Sequence, residues 1–384
     1  MIDVREVWDY EYGARKLTFY CLIGKNGVPL FEPSMFLFKE AIKGAPENTT
    51  RAYANDLKSF FSMLNDSLGA LGNYKSITDA QMNGYLNGFL NQKKCLKPAT
   101  ITRHIASINR FYIFCYENGF VNRKPCFSFS YVDDISTETM MNGMTTQLHR
   151  TYLNRNTFED VILGSITTKT PFLKERDELA LKFGYYGGLR SGELVSYGNL
   201  NASKLRELLP KQDKRTIQSI EMGVRGKGNK LRAVRLEPPL TEAIYNFIWG
   251  RAKHITDSII CDKIGRPLIN KSYGSQLFRE CKNNFLSSCT LSKSEFERWE
   301  KRSYHLLRAC YATNMVTFCV EAGIDPKVFV TQWMGHSNPK TTEVYVFYDA
   351  VLNNRLKVIE DLSLKNTFFG KTFHNTFNVG RWDE

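Results

Sequence analysis

Gly223-Val224-Arg225-Gly226-Lys227-Gly228-Asn229-Lys230-Leu231-Arg232 is the centre of the one β pattern in a region that otherwise repeats with helical period. Arms Ile217–Val224 and Leu231–Leu236 surround the Gly226-Lys227-Gly228-Asn229 tip. From about 156 to about 364 the flanking sequence spaces its apolar residues by three and four. A single short hairpin among helices predicts a mainly α fold with a small antiparallel β-sheet (α+β). The hairpin is strongly basic: Lys211, Lys214, Arg215, Arg225, Lys227, Lys230, Arg232 and Arg235 are opposed only by Asp213 and Glu221. Gly223 to Gly228 matches the first part of a phosphate-binding loop, but Asn229-Lys230 follows where Lys-Ser/Thr is required, so nucleotide binding by that route fails. A Gly-flanked lysine at the tip of a basic hairpin suits a nucleic-acid groove instead.

Upstream, residues 36–128 read as a compact helical domain. Asn48 or Thr49 can cap a helix with Tyr53, Leu57, Phe60, Phe61 and Leu64 on one stripe. A second helix starts near Thr78-Asp79 with Met82, Tyr85, Leu86, Phe89 and Leu90. Pro98 fits the first turn of a third, with Ile101, Ile105, Ile108, Phe111, Tyr112 and Phe114 inward. Arg103, His104 and Arg110 lie on its other face, a pattern that serves phosphate contact or, more commonly, a solvated surface. Ahead of this domain, residues 1–35 form an extension with a small hairpin at 16–31, turning at Asn26-Gly27. A linker rich in polar residues spans 129–149, the main domain covers 150–365, and 366–384 form a tail containing Phe368, Phe369, Phe373 and Phe377.

Composition narrows the classes. The chain has 384 residues with 52 Lys+Arg against 39 Asp+Glu, a net charge of +13, which makes a polyanion the leading partner. Nine cysteines without a C-x-x-C pair read as reduced thiols rather than a disulfide framework or zinc ribbon. No histidine pair has H-E-x-x-H spacing, so no metal site is expected. The N-terminus lacks a signal-peptide core and no apolar run reaches about 18 residues, which predicts a cytoplasmic protein with no membrane association.

Four stretches could carry chemistry. In Gly187-Gly188-Leu189-Arg190-Ser191-Gly192-Glu193-Leu194, two glycines end a helix near Tyr186. Arg190 and Glu193 then sit three apart, so the carboxylate can hold the guanidinium in one rotamer. The hairpin is the second stretch. In Ser303-Tyr304-His305-Leu306-Leu307-Arg308, Ser303 suits an N-cap, and His305 and Arg308 lie one turn apart. In the fourth, Asp325-Pro326 starts a helix that Gly335 ends. Asn338-Pro339 caps the next, placing Tyr345 nearly two turns in. Taken alone, each has a commoner structural meaning: a surface ion pair, a satisfied histidine, one tyrosine among 19.

Their order resembles one family. Gly-Leu-Arg-x-x-Glu, Gly-Lys-Gly-Asn-Lys in a hairpin, His-x-Leu-Arg, and Gly-His-Ser with Tyr nine residues after the His are similar to the tyrosine recombinase (phage integrase) family. The resemblance runs from about 156 to 350, and the helical region resembles that family's SAM-like core-binding domain. It implies a two-domain DNA clamp in which Tyr345 attacks a phosphodiester, leaving a 3′-phosphotyrosine and a free 5′-hydroxyl. It further implies that Arg190 and Arg308 hold the non-bridging oxygens, Lys227 protonates the leaving oxygen, His305 takes or orients the tyrosine proton, and His336 bonds the phosphate. Glu193 would buttress Arg190, and Arg103, Arg110, Arg225, Lys230 and Arg232 would bind DNA. Tyr348 and Lys230 are the alternatives to Tyr345 and Lys227. No cofactor is implied. The implied partners are double-stranded DNA with specific recombination sites, a homotetramer, and accessory DNA-bending or directionality proteins, in the service of a mobile genetic element. The sequence departs from the pattern at Ala309, where the family carries histidine, and at Met334, where it carries leucine. A type IB-like topoisomerase and an inactive DNA-binding scaffold are the competing readings.

Overall fold

The computed structural model describes residues 2–68, 71–123, 126–128, 148–211, 218–226, 228, 230–336, 338–353 and 355. The expected linker up to 147, the catalytic-lysine candidate Lys227 and the tail 366–384 lie outside them. The chain divides into two compact units, Met1–Asp134 and Ile135–Glu384, each mainly helical and each carrying one two-stranded antiparallel sheet. Among the described residues no helix is long and apolar enough to cross a membrane.

In the first unit, β1 (Asp3–Tyr12) pairs with β2 (Arg15–Ile23) from Asp3↔Ile23 to Tyr12↔Arg15. This corrects the hairpin expected at 16–31. Its first arm is a strand, but the partner precedes it. Asn26-Gly27 does turn the chain, with Gly27 at φ 77°, yet only a single bridge follows, Ile23↔Pro29. Pro29 has no N–H to extend a ladder, and Phe31 already begins α1 (Phe31–Ile42). The following helices are α2 (Glu47–Leu68), α3 (Asp79–Asn83, continued by a wider-wound turn through Lys93) and α4 (Pro98–Glu117). Helix α2 starts at Glu47, so Asn48 and Thr49 lie inside it rather than capping it. Thr78 caps α3 through a capping box with Gln81, as its position suggests. Leu57, Phe60, Phe61, Tyr85, Ile101, Phe111 and Tyr112 form the core.

The second unit is built around α12 (Tyr304–Glu321), which is buried on most of its circumference. It packs on α6 (Pro171–Gly187), α13 (Pro326–Met334) and α14 (Lys340–Leu352). Helices α5 (Thr157–Leu163), α8 (Ala202–Leu208), α9 (Pro238–Trp249), α10 (Tyr273–Ser288) and α11 (Lys293–Glu300) complete the shell, and the short α7 (Ser191–Leu194) follows the Gly-Gly break. The basic hairpin is β3 (Ile220–Arg225) and β4 (Leu231–Leu236), in register from Ile220↔Leu236 to Arg225↔Leu231. Leu148, at the end of the expected linker, is instead buried against Val344 and Tyr348.

Candidate active site

Two helix ends meet around one arginine. Helix α6 stops at Gly188, which adopts a left-handed φ of 61°, and α13 stops at Gly335 with φ 62°. Both positions demand glycine twice over. A Cβ at Gly188 would strike the Tyr311 ring, and one at Gly335 would lie 2.7 Å from Cδ of Arg232. Between these ends sits Arg308 on α12, only 3% exposed. Its guanidinium donates to the carbonyls of Gly188 and Met334, the terminal acceptors of α6 and α13. Those carbonyls carry the partial negative charge of helix C-termini, so the cation is held with no carboxylate hydrogen-bonded to it among the described residues. Burial, then Arg190 and Arg232, lower its pKa to about 9, and at neutral pH it is still a guanidinium.

Arg190 immediately precedes α7. Glu193 accepts from the Arg190 backbone N–H at 2.8 Å and from Nη1 at 2.8 Å. The same carboxylate accepts two parallel bonds from Arg232, at 2.8 and 2.7 Å. Burial alone would raise Glu193, but these bonds, with Arg232 first, bring it to about 2. Arg232 also donates to the carbonyl of Trp333 at 3.0 Å. The sequence places Arg232 among groove-facing cations; the structure turns it inward, buried, where it ties β4 to α7 and to the end of α13. The signal was in the strand itself. Arg232, Val234 and Leu236 alternate onto one face, and all three are buried.

His305 opens to solvent one turn before Arg308. Partial desolvation, then Arg308 and Arg190, hold its pKa below the ordinary 6.5. His336 follows Gly335 and stacks on Tyr345, with ring centroids 6.1 Å apart and planes at 15°. Burial first, then the three arginines, push its pKa down to about 4. Its Nδ1 is 3.0 Å from the Thr342 hydroxyl on the first turn of α14. Tyr345 is raised by burial and pulled back by Arg308 and Arg190. Tyr348, the alternative, feels neither arginine. It is buried against Leu148, Val344 and Tyr152 and rises to about 12.

The remaining candidates separate. Arg225 and Lys230 are exposed at the hairpin end. The backbone of Arg225 is pinned by Asn199, whose side chain also donates to the Glu193 carbonyl. Asn199 and Thr342 carry no motif signal in a single sequence. Arg103 and Arg110 belong to the other unit and are half-exposed, each on a buried carboxylate: Asp56 at 2.6 Å and Glu40 at 2.8 Å. His104 is not on an outer face. It is buried between Asp56 and Tyr85. Among the described residues no His, Cys, Asp and Glu cluster could hold a metal ion.

Two guanidiniums, two largely neutral imidazoles and a phenol thus share one anion-seeking pocket, presented by helix ends in the order Arg, His, Arg, His, Tyr. Residues 162–350 match the phage integrase family, and residues 37–119 match the N-terminal SAM-like domain of phage integrases. The chain belongs to the phage integrase family. It is a tyrosine recombinase of that family. The tyrosine recombinase XerC of Listeria innocua is 25% identical over 307 residues, covering 78% of this chain and 86% of its own. A tyrosine recombinase of Pseudothermotoga lettingae is 26% identical over 308 residues, covering 79% and 89%. The fold is shared with the XerH site-specific recombinase solved in a post-cleavage complex with palindromic difH substrate. That likeness has a TM-score of 0.55 and 18% identity, and covers 86% of this chain and 88% of that one. The pre-cleavage XerH complex gives a TM-score of 0.51 over 82% of this chain and 80% of that one.

Proposed function

We propose that this member of the phage integrase family is a site-specific DNA recombinase whose nucleophile is Tyr345. The observation that carries the assignment is Arg308: a buried cation with no carboxylate hydrogen-bonded to it among the described residues, beside Arg190 and the Tyr345–His336 stack. Such a cation is unfinished until an anion arrives, and a phosphodiester supplies one. Tyr345 Oη attacks phosphorus as the P–O5′ bond breaks, giving a 3′-phosphotyrosine and a 5′-hydroxyl. His305, neutral at physiological pH, takes the phenolic proton, and Lys227 at the hairpin tip returns one to the departing 5′-oxygen. Arg190 and Arg308 hold the non-bridging oxygens, and His336 hydrogen-bonds one of them. Joining is the reverse attack by a 5′-hydroxyl.

The reading includes residues 36–128 as a core-binding domain, 150–365 as the catalytic domain, and a homotetramer on two DNA sites in the cytoplasm. Accessory bending or directionality proteins and a mobile-element setting belong to it as well. It is tested with a DNA site from the gene's own flanks, nicked so that a cleaved fragment diffuses away. A denaturing gel then shows a covalent protein–DNA adduct, mapped to Tyr345 and absent in Tyr345→Phe. Tight site-specific binding without an adduct would replace this reading with an inactive DNA-binding scaffold.

A further inference from the structure

Two threonines stand behind His336. Thr342 on α14 is fully buried, and its hydroxyl lies 3.0 Å from His336 Nδ1 and 2.7 Å from the hydroxyl of Thr331 on α13. Thr331 also accepts the His336 backbone N–H through its carbonyl, at 3.0 Å. The imidazole is therefore gripped at the backbone and at Nδ1, which leaves Nε2 for a ligand.

We propose that Thr331 and Thr342 form a two-hydroxyl relay that fixes His336 as the Nε2–H tautomer, so that a neutral imidazole can donate to the scissile phosphate. Each hydroxyl owns one hydrogen. In the order Thr331 to Thr342 to Nδ1, both hydrogens are used within the chain, and Nε2 must carry the ring proton. In the reverse order Nδ1–H donates to Thr342 and Thr342 to Thr331, and the hydrogen of the half-buried Thr331 is left to solvent. The reverse order also turns an Nε2 lone pair toward a phosphate oxygen, which repels it. Protonating the ring is no escape at neutral pH, because Arg308 of α12, Arg190 ahead of α7 and Arg232 of β4 all face it and disfavour a further cation. The acidic group on α14 nearest in sequence, Glu343, is engaged by Lys327 of α13 at 3.1 Å. The tautomer must therefore be set by hydrogen bonding, as histidines are commonly oriented by the bond their other nitrogen makes. Thr342 is a positioning residue in this scheme.

The deduction about phosphate rests on the recombinase reading, so the experiment has two arms. In the first, the full-length protein is labelled with 15N-histidine, and two-bond 15N–1H correlations give the His336 tautomer without DNA, assigned by loss of the signal in His336→Gln. The parent should show protonated Nε2 and bare Nδ1. Thr342→Val should move the proton toward Nδ1, and Thr342→Ser should restore the parent pattern. In the second arm, single-turnover cleavage of the nicked substrate is followed at pH 8, where His336 is neutral. Thr342→Val should be about ten- to a hundredfold slower at pH 8, less than the roughly hundred- to thousandfold cost of removing a transition-state donor outright, because the ring itself is kept. Thr342→Ser, which returns the hydroxyl but not the methyl, should restore the parent rate, and a lesion in packing alone would not be rescued by serine. Thr331→Val, which spares the buried hydroxyl, should show the same trend more weakly. A parent His336 protonated at Nδ1 overturns the relay whether or not the protein cleaves DNA. Equal rates for parent and Thr342→Val at pH 8 overturn it too. Absence of any cleavage by the parent overturns the recombinase reading and leaves the tautomer assignment to the first arm.

Discussion

Glu193→Gln removes the charge that holds Arg190 and Arg232 together while keeping the side chain's size. Glu193 is 4% exposed and accepts four hydrogen bonds from the two arginines. Its carboxyl is held at about 2 against an ordinary 4.5. At 1.36 kcal/mol per pH unit, that difference contributes about 3 kcal/mol. Leaving two guanidiniums with a neutral amide agrees in size with the about 3–5 kcal/mol lost when one member of a buried pair is removed. The sign follows from the direction. A depressed acid stabilises fully above 4.5, and its contribution disappears as pH falls toward 2. Parent and variant should therefore differ by about 3 kcal/mol at pH 7 and converge between pH 4.5 and pH 2. Urea titration at a series of pH values reads this through tryptophan fluorescence, since Trp249, Trp299 and Trp333 all lie in the second unit. The freed Arg190 should also slow cleavage about a hundredfold, the usual consequence of misplacing a charged group by about 1 Å. A variant within about 1 kcal/mol of the parent at pH 7, or a gap that persists unchanged to pH 2, would refute the reasoning.

Arg308→Lys cannot span the Gly188 and Met334 carbonyls with a single ammonium, so single-turnover cleavage should fall at least about a hundredfold while circular dichroism stays native. Tyr348→Phe should still form the covalent adduct on a denaturing gel, because its ring packs against Leu148, Val344 and Tyr152 and away from Arg308 and Arg190. Gly188→Ala forces a Cβ into the Tyr311 ring at φ 61°, and chemical denaturation should show a loss of about 2 kcal/mol or more. Glu237, raised to about 8 by burial with one carboxylate oxygen unpartnered, destabilises the fold increasingly from pH 4.5 to pH 8. Glu237→Gln should therefore gain up to about 5 kcal/mol at pH 9, less the roughly 1–3 kcal/mol cost of a buried amide without a full set of partners, and little at pH 4, measured by thermal melting.

The helix boundaries around the pocket are legible because they depend on local chemistry. Gly188 and Gly335 need a left-handed φ, Asp325 caps the N–H of Lys327, and Pro98 and Pro326 take first-turn positions. The inward stripes of α2 and α4 are legible for the same reason, since a 3.6-residue period is a property of each helix alone. What the sequence conceals is pairing. Strand β1 has alternating residues, but its acidic and basic positions mask them, and nothing local tells β2 to pair backward with it rather than forward to Pro29. Arg232 looks like every other cation of the hairpin until Glu193, 39 positions earlier, is brought beneath it. Arg103 and Arg110 likewise have the pattern of a free basic face, and only the fold sets Asp56 and Glu40 under them. Thr342 acquires its place through Thr331 and His336, a contact between two helix ends that no periodicity announces.

The seat of Arg308 has a consequence for the protein away from any reaction. A full positive charge seated on the ends of two helices, favoured at a distance by Glu193 and opposed by Arg190 and Arg232, is destabilising in the free protein, so occupancy and folding are thermodynamically linked. Any oxyanion that fits should raise the melting temperature by mass action, about 2.7 kcal/mol at a hundred times its dissociation constant. Sulfate should then protect the second unit more than chloride at matched ionic strength, and Arg308→Met should erase the difference. The same linkage makes the DNA site a folding ligand, so copies bound to DNA should outlast unbound ones under proteolysis.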